Sequence, residues 1–154
     1  DMKLRDRITI RCAPEVVWAV LAEPSFMPAW NPKCVSCQAP QGSIGVGAQY
    51  QAVFKMEGLE QEASCEVLEC VSLQRLTVRY SGAGFPNGGH VEETFQLTPT
   101  SSGARLTHAV DFGRSGIPWV FQMLIWLIST FGHTVGPSIL ENIRELTEGL
   151  NPGP

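Results

Sequence analysis

IPWVFQMLIWLI, residues 117–128, opens the segment that decides the fold of this chain. The stretch is apolar on nearly every side, and a helix of that composition must be buried in protein, in lipid or around an apolar ligand. From Val135 onwards, mostly beyond Pro137, apolar residues recur at helical spacing with charged residues between them, which predicts a one-sided helix packed on a core. The apolar set is Val135, Ile139, Ile143, Leu146 and Leu150, and the charged set is Glu141, Arg144, Glu145 and Glu148. We therefore expect one long C-terminal helix, kinked or broken at Pro137, that caps an apolar layer built by the earlier chain.

The uncharged run from Ser115 to Leu140 is long enough to span a bilayer. Polar and helix-breaking residues interrupt it, and no lysine cluster flanks it, which argues against a transmembrane helix. These residues are Gln122, Gly132, His133, Gly136 and Pro137. Contact of the Trp119–Ile128 surface with a membrane is kept as an alternative to burial inside the protein.

Length and composition indicate one domain, which we assign to residues 1–154. The net charge of −4 and the lack of a basic stripe exclude nucleic acid as a partner, because phosphate binding needs basic patches. The charged N-terminus has no secretory signal, so we expect a cytoplasmic protein whose five cysteines are reduced thiols. The oligomeric state is open between monomer and dimer.

Most of the chain alternates apolar and polar residues, as half-buried strands do. Two short helical pieces follow the first strand: one begins at Pro14, where a first-turn proline is tolerated, and the other is ended by Asn31-Pro32. The predicted strands are 4–12, 34–39, 48–56, 60–71, 73–80, 90–98 and 104–112. Strands followed by one helix predict an α+β fold in which a single antiparallel sheet has one apolar face.

Several local patterns match one known superfamily. They are Ile8-Thr9-Ile10 followed by Ala13-Pro14-Glu15-Val16-Val17-Trp18, then Met27-Pro28-Ala29-Trp30-Asn31-Pro32, Gly45-Val46-Gly47, Glu92-Glu93-Thr94-Phe95-Gln96-Leu97-Thr98-Pro99, and Gly103-Ala104-Arg105-Leu106-Thr107-His108. Across nearly the whole chain these resemble the START-like, or SRPBCC, superfamily, most closely its polyketide cyclase/dehydrase branch. The resemblance implies a helix-grip fold, in which a curved sheet wraps a long C-terminal helix. It is not specific for activity, because the superfamily contains enzymes, carriers and sensors.

The resemblance also implies a cavity between the sheet and the closing helix. A largely apolar pocket with few polar groups is typical of small-molecule sites, although alternation alone cannot distinguish such a cavity from a solid core. Trp30 is expected first to anchor the short helices on the sheet and second to form part of the cavity wall. The predicted ligand-binding residues are Trp30, Tyr50, Phe54, Cys65, Val67, Val78, Tyr80, Phe95, Val110, Trp119, Met123, Trp126 and Leu127.

Glu93 and His108 are polar residues in otherwise apolar strand phases. If Leu97 pairs with Leu106 across the 99–103 turn, Glu93 lies diagonal to His108 on one face, within reach of its side chain. A carboxylate beside an imidazole orients the ring and raises its basicity, as acid/base catalysis requires. The preferred interpretation is a structural pair or a polar end that fixes a ligand head group, with catalysis as the alternative.

Cys34-Val35-Ser36-Cys37 is a CxxC motif, but on a regular strand its two thiols would point to opposite faces. Structural zinc needs four converging ligands, and the sequence supplies no second CxxC and only scattered histidines. Phosphate-binding, dinucleotide-binding and nucleophile-elbow motifs are missing as well. We therefore expect neither a metal nor a cofactor.

Three hypotheses of function follow from the sequence. The first is a binding protein for a hydrophobic small molecule, lipid-like or aromatic polyketide-like. The second is a cyclase/dehydratase-type enzyme in which His108 and Glu93 move protons. The third is a membrane-peripheral carrier of a lipid or quinone.

Overall fold

The computed structural model describes residues 3–39, 44–56, 58–82, 84–118 and 138–150. Strand β1 spans Lys3–Ile10 and is followed by helix α1 (Pro14–Leu21), a 3₁₀ turn (Pro24–Phe26) and helix α2 (Met27–Trp30). Strands β2 (Cys34–Gln38), β3 (Gln49–Met56), β4 (Leu59–Val71) and β5 (Arg75–Gly82) come next, then a second 3₁₀ turn (Pro86–Gly88). Strands β6 (His90–Thr100) and β7 (Gly103–Asp111) and helix α3 (Ile139–Leu150) complete the described elements.

The seven strands form one sheet in the order β1-β7-β6-β5-β4-β3-β2, and every neighbouring pair is antiparallel. The first strand therefore lies beside the last one, and because Ile10 pairs with Ala104, helix α1 lies against the turn end of the β6–β7 hairpin. The predicted α+β helix-grip architecture is confirmed, a curved antiparallel sheet with a C-terminal helix and short helices after the first strand.

One face of the sheet carries the core. Alternating strand residues are buried there, among them Tyr50, Val67, Val78 and Leu106, while their neighbours remain exposed or half-buried. This follows from the two-residue period of a strand, which sends successive side chains to opposite faces. We call this apolar face the inner face of the sheet.

Two β-bulges shift the alternation that the sequence suggests. In β4 the register changes between Val67 and Glu69, so that Cys70 pairs with the buried Leu76 and Glu69 pairs with Thr77. The alternation that places Cys65 and Val67 on the inner face therefore ends at Val67. An extra residue reverses the facing of everything beyond it, which brings Cys70 to the core side.

The second bulge, in β2, overturns the prediction for the CxxC motif. The register shifts between Cys34 and Ser36, so that Cys34 pairs with Phe54 and Cys37 pairs with Ala52. Because Phe54 and Ala52 lie two residues apart on β3, both cysteines face the same side, and both pack on the core. Val35, the extra residue, is 50% exposed. The expectation that the two thiols point apart was wrong.

Helix α3 packs on β1, α1 and α2. Its buried positions are Leu140, Ile143 and Thr147, a stripe with helical spacing. The predicted stripe contained Ile143, but it also placed Leu150 on the core side, and Leu150 is 59% exposed. Thr147 takes a core position because its hydroxyl donates to the carbonyl oxygen of Ile143 at 2.8 Å, which satisfies its polar group.

Two expectations fall largely outside the described residues. One is the apolar helix of residues 117–128, of which the structure describes only Ile117 and Pro118, in non-helical conformation, and the other is the break at Pro137. In the part of the chain that the structure describes, no helix is both long enough and apolar enough to cross a membrane.

Candidate functional site: a polar cluster on the inner face of the sheet

The β6–β7 hairpin places the two polar residues that the sequence singled out. Its register pairs Leu97 with Leu106, Phe95 with His108 and Glu93 with Val110, as predicted. Pairing across β5 and β6 sets Glu93 opposite Val78, and Tyr80 lies two residues further along the same face of β5. The topology therefore brings one carboxylate, one imidazole and one phenol together.

The three side chains form a continuous hydrogen-bonded chain, which we call the polar cluster. The Tyr80 hydroxyl donates to Glu93 Oε1 at 2.8 Å, and His108 Nε2 lies 2.9 Å from Glu93 Oε2. Glu93 is only 6% exposed, and His108 is more accessible, with 13% of its side chain exposed. A buried carboxylate must be fully hydrogen-bonded to be tolerated, and both of its oxygens have partners here.

The protonation pattern of the polar cluster follows from its geometry. Burial, with the nearby Glu93 carboxylate as a second cause, raises the pKa of Tyr80 well above its ordinary value, so the phenol keeps its proton and donates a hydrogen bond to Glu93 Oε1. An ionised carboxylate only accepts hydrogen bonds, so with Glu93 ionised the His108 ring must supply the second donor. His108 Nε2 is then the donor in its bond to Glu93. No described residue hydrogen-bonds His108 Nδ1, so this nitrogen is available to a ligand.

Aromatic rings fix the orientation of the cluster. Phe95 stacks on the His108 ring with centroids 4.6 Å apart and planes inclined by 20°. The Trp30 ring meets Phe95 edge-on at 5.5 Å, and Phe54 meets Tyr80 edge-on at 5.8 Å. Such contacts stabilise rings beyond the burial of their area and limit the rotation of the imidazole.

The contacts of Trp30 fit the first role predicted for it, that of an anchor between the short helices and the sheet. Its backbone carbonyl accepts a hydrogen bond from the Asn142 side chain at 3.2 Å, which ties α2 to α3, and its ring packs on β6. Its indole Nε1 is buried with no acceptor among the described residues. A buried donor without a partner costs about 1–3 kcal/mol, so this N–H can gain from an acceptor on a ligand.

A group of thiols lies on the β2–β4 part of the inner face. Burial raises the pKa of Cys34 and that of Cys37 to about 11 each, and burial also raises the pKa values of Cys65 and Tyr50. At neutral pH these groups are therefore uncharged, and they act as small apolar or weakly polar wall residues. Cys34 and Cys37 were not among the predicted site residues, because strand alternation gives no sign of the bulge at Val35.

The structure brings most of the predicted ligand-binding residues onto one face. Cys65, Val67, Val78, Tyr80 and Phe95 are buried there with Trp30 and Tyr50, and Phe54 and Val110 are half-buried against the same core. Trp119, Met123, Trp126 and Leu127 lie outside the described residues. Within the described ranges, no group of three or more His, Cys, Asp or Glu side chains is arranged to hold a metal ion.

The opposite, outer face of the sheet carries a shallow depression of about 910 Å³. Threonines and charged residues line it, among them Arg5, Arg7, Thr94, Thr107 and Arg105. Residues on this face alternate with those of the polar cluster along β6 and β7, so the depression is separated from the cluster by the sheet itself. Leu68 and Ala109 are the apolar residues of its otherwise polar and charged lining, which leaves little surface on which to bury a hydrophobic ligand.

Comparison with known structures shows the same fold. A protein from Rhodobacter sphaeroides is similar with a TM-score of 0.71 at 20% identity, covering 97% of this chain and 93% of its own. A protein from Chromobacterium violaceum gives 0.68 at 22% identity, covering 96% and 97%, and Ara h 8.0201 gives 0.65 at 15% identity, covering 96% and 97%. No functionally curated protein matches the sequence.

The sequence profile of one family matches residues 1–129, which include every described strand and both N-terminal helices. That family is described as polyketide cyclase / dehydrase and lipid transport. This confirms the resemblance inferred from the sequence: the chain is a START-like, SRPBCC-fold protein and belongs to the polyketide cyclase / dehydrase and lipid transport family.

Proposed function

We propose that this protein binds a hydrophobic small molecule against the inner face of its sheet, with the polar end of the ligand at the polar cluster. The observation that carries the proposal is the Tyr80–Glu93–His108 chain, a set of oriented polar groups in an otherwise apolar interior. One ring nitrogen of His108 and the Trp30 indole N–H lack partners among the described residues. Such a combination of apolar walls and few oriented polar groups is what small-molecule sites require.

Affinity would come mainly from apolar surface. Trp30, Phe54, Phe95 and the neighbouring aliphatic side chains offer aromatic and aliphatic contacts, and each Å² of apolar area removed from water contributes roughly 25 cal/mol. The polar cluster would set the direction in which the ligand enters. The family description, which names cyclases, dehydrases and lipid transport, supports a ligand of lipid or aromatic polyketide character.

Native mass spectrometry of the purified protein, followed by organic extraction, tests the proposal directly. We expect a discrete extra mass that extracts as an acyl-chain or aromatic compound, or a saturable shift when such compounds are added. A protein that shows its bare mass and takes up no fatty alcohol, quinone or polyphenol would contradict the proposal.

A matched pair of substitutions locates the binding surface. Val110 and Ala109 are neighbours on β7, but Val110 packs on the core side and Ala109 lines the outer depression. Val110→Trp should reduce the uptake of ligand because the indole fills inner space, whereas Ala109→Trp should not. Thermal unfolding of both variants checks that each remains folded. Equal uptake of ligand by the two variants would contradict binding at the inner face.

A second candidate function is acid/base catalysis, favoured by the hydrogen bond between His108 and Glu93. An imidazole oriented by a carboxylate and open at its other nitrogen can remove a proton next to a carbonyl group, as cyclisation and dehydration of a polyketone require. Deuterium exchange at the α-carbon of an apolar ketone such as 1-tetralone, followed by NMR, measures this step. If His108→Ala abolishes catalysed exchange while binding persists, the protein is an enzyme; if the native protein does not accelerate exchange, this candidate fails.

A further inference from the structure

While Glu93 is ionised, the polar cluster carries no net positive charge, and this limits the ligands it accepts. With His108 neutral, the cluster carries the single negative charge of Glu93, and with His108 protonated the two charges cancel. Tyr80 donates as a neutral phenol in both cases. A carboxylate head group would therefore meet either a like charge or a neutral pair.

No lysine or arginine elsewhere in the interior supplies a positive charge for a carboxylate head group. All eleven lie within the described residues, nine are exposed, and Arg79 and Arg144 are half-buried. Arg79 pairs in register with Glu66 and Glu92, so it faces outward between Val78 and Tyr80. The sequence also has no lysine or arginine between Arg114 and Glu141.

We infer that the site selects uncharged hydroxylated ligands, phenols or alcohols, and rejects free carboxylates such as fatty acids. The inference deepens the proposed function and rests on it. When neutral His108 donates its Nε2–H to Glu93, Nδ1 presents a lone pair, and a ligand hydroxyl can donate to it. An ionised carboxylate has no proton to donate there and would lose its hydration without an opposite charge to replace it.

Three naphthalene probes test the inference on the native protein at about pH 7, where a phenol is neutral and a carboxylic acid is ionised. 2-Naphthol is neutral with a donor, 2-methoxynaphthalene is neutral without one, and 2-naphthoate is an anion of similar size. Isothermal titration should rank them in that order, with 2-naphthol at least about tenfold tighter than 2-naphthoate. Equal or tighter binding of 2-naphthoate overturns the selectivity while the proposed function stands. If none of the three binds, the proposed function fails and the selectivity fails with it.

Adjacent glutamates provide the matched variants. Glu93→Gln removes the inner negative charge and should raise the affinity for 2-naphthoate. The difference in affinity between 2-naphthol and 2-naphthoate should therefore become smaller. Glu92→Gln makes the same change on the outer face, where Glu92 pairs in register with Arg79 and Asp111. It should leave the difference in affinity between the two probes as in the native protein. Glu93 would not set the selectivity if the difference in affinity between 2-naphthol and 2-naphthoate were unchanged in a folded Glu93→Gln protein. The same conclusion would follow if both variants reduced that difference equally. Circular dichroism establishes folding, and the native ranking tests the inference even if Glu93→Gln does not fold.

Discussion

The Glu93 carboxylate is held in the interior by two donors, and the loss of either leaves a buried oxygen short of a partner. Tyr80→Phe removes one donor without changing the ring, so we expect it to lower the free energy of unfolding by about 1–3 kcal/mol. Urea denaturation measures this difference. The phenol therefore contributes to stability through the carboxylate it satisfies.

Tyr50→Phe is the control for that prediction. Tyr50 is also buried on the inner face, but the described residues give its hydroxyl no hydrogen bond to Glu93. Removing the Tyr50 hydroxyl should lower the free energy of unfolding clearly less than removing the Tyr80 hydroxyl. Equal costs for the two variants would mean that the Tyr80–Glu93 bond contributes no net stability.

Buried thiols and tyrosines predict a loss of stability at alkaline pH. The pKa values of Cys34 and Cys37 are raised to about 11 in the folded protein, above the ordinary value of 9.0. The unfolded chain then releases these protons before the folded one does. The associated stability is fully present below about pH 9 and is lost as pH rises towards 11.

The measurement is the free energy of unfolding by urea at several pH values. Replacing Cys34 and Cys37 together by alanine should make its fall between about pH 9 and pH 11 shallower than in the native protein. Replacing the half-buried Cys70 alone is the comparison: burial raises the pKa of this thiol as well, so we expect a smaller effect from one residue than from two. An identical pH dependence in the native and double-alanine proteins would show that Cys34 and Cys37 do not contribute to the loss of stability at alkaline pH.

At the level of elements, the β6–β7 hairpin shows what a sequence can predict. Its alternating residues and the turn at 99–103 were enough to predict the register, and with it the proximity of Glu93 to His108. The bulges in β2 and β4 were not predictable in this way, because an extra residue leaves no mark in a pattern of apolar and polar residues. The facing of Cys34, Cys37 and Cys70 was therefore inaccessible from sequence.

Gly103 fixes the close approach of this hairpin to the chain that leaves β1. A Cβ atom at Gly103 would overlap the carbonyl oxygen of Ile10 and lie 2.7 Å from the backbone nitrogen of Cys12. Because backbone atoms cannot move aside as a flexible side chain can, Gly103→Ala should destabilise the protein by about 2 kcal/mol or more. Urea denaturation at neutral pH measures the change.

Gly45→Ala provides the comparison, since a Cβ there meets nothing within 4 Å. This variant should have a free energy of unfolding within about 0.5 kcal/mol of the native value, as surface changes usually do. If both glycine substitutions were tolerated equally, the contact between the β6–β7 turn and the β1–α1 connection would not constrain the fold.

At the level of the whole molecule, the order of elements predicted the layers, and the resemblance supplied the helix-grip topology. Helix α3 illustrates the remaining error. Its apolar spacing predicted a packed face, but the stripe that is buried includes Thr147 and leaves Leu150 in solvent. The periodicity of apolar residues predicts that the helix has a buried face. The residues at the centre of that face depend on how the helix is rotated against α1, α2 and β1, which only the fold determines.

The central claim is that a hydrophobic ligand places its polar end at His108, and imidazole ¹⁵N–¹H NMR tests it most directly. The chain has three histidines, so single substitutions assign their signals. On titration with 2-naphthol, we expect the His108 nitrogens to shift with saturation, Nδ1 the most, while the His90 signals stay in place. Saturable binding that leaves the His108 signals unmoved, or no binding at all, would contradict the account.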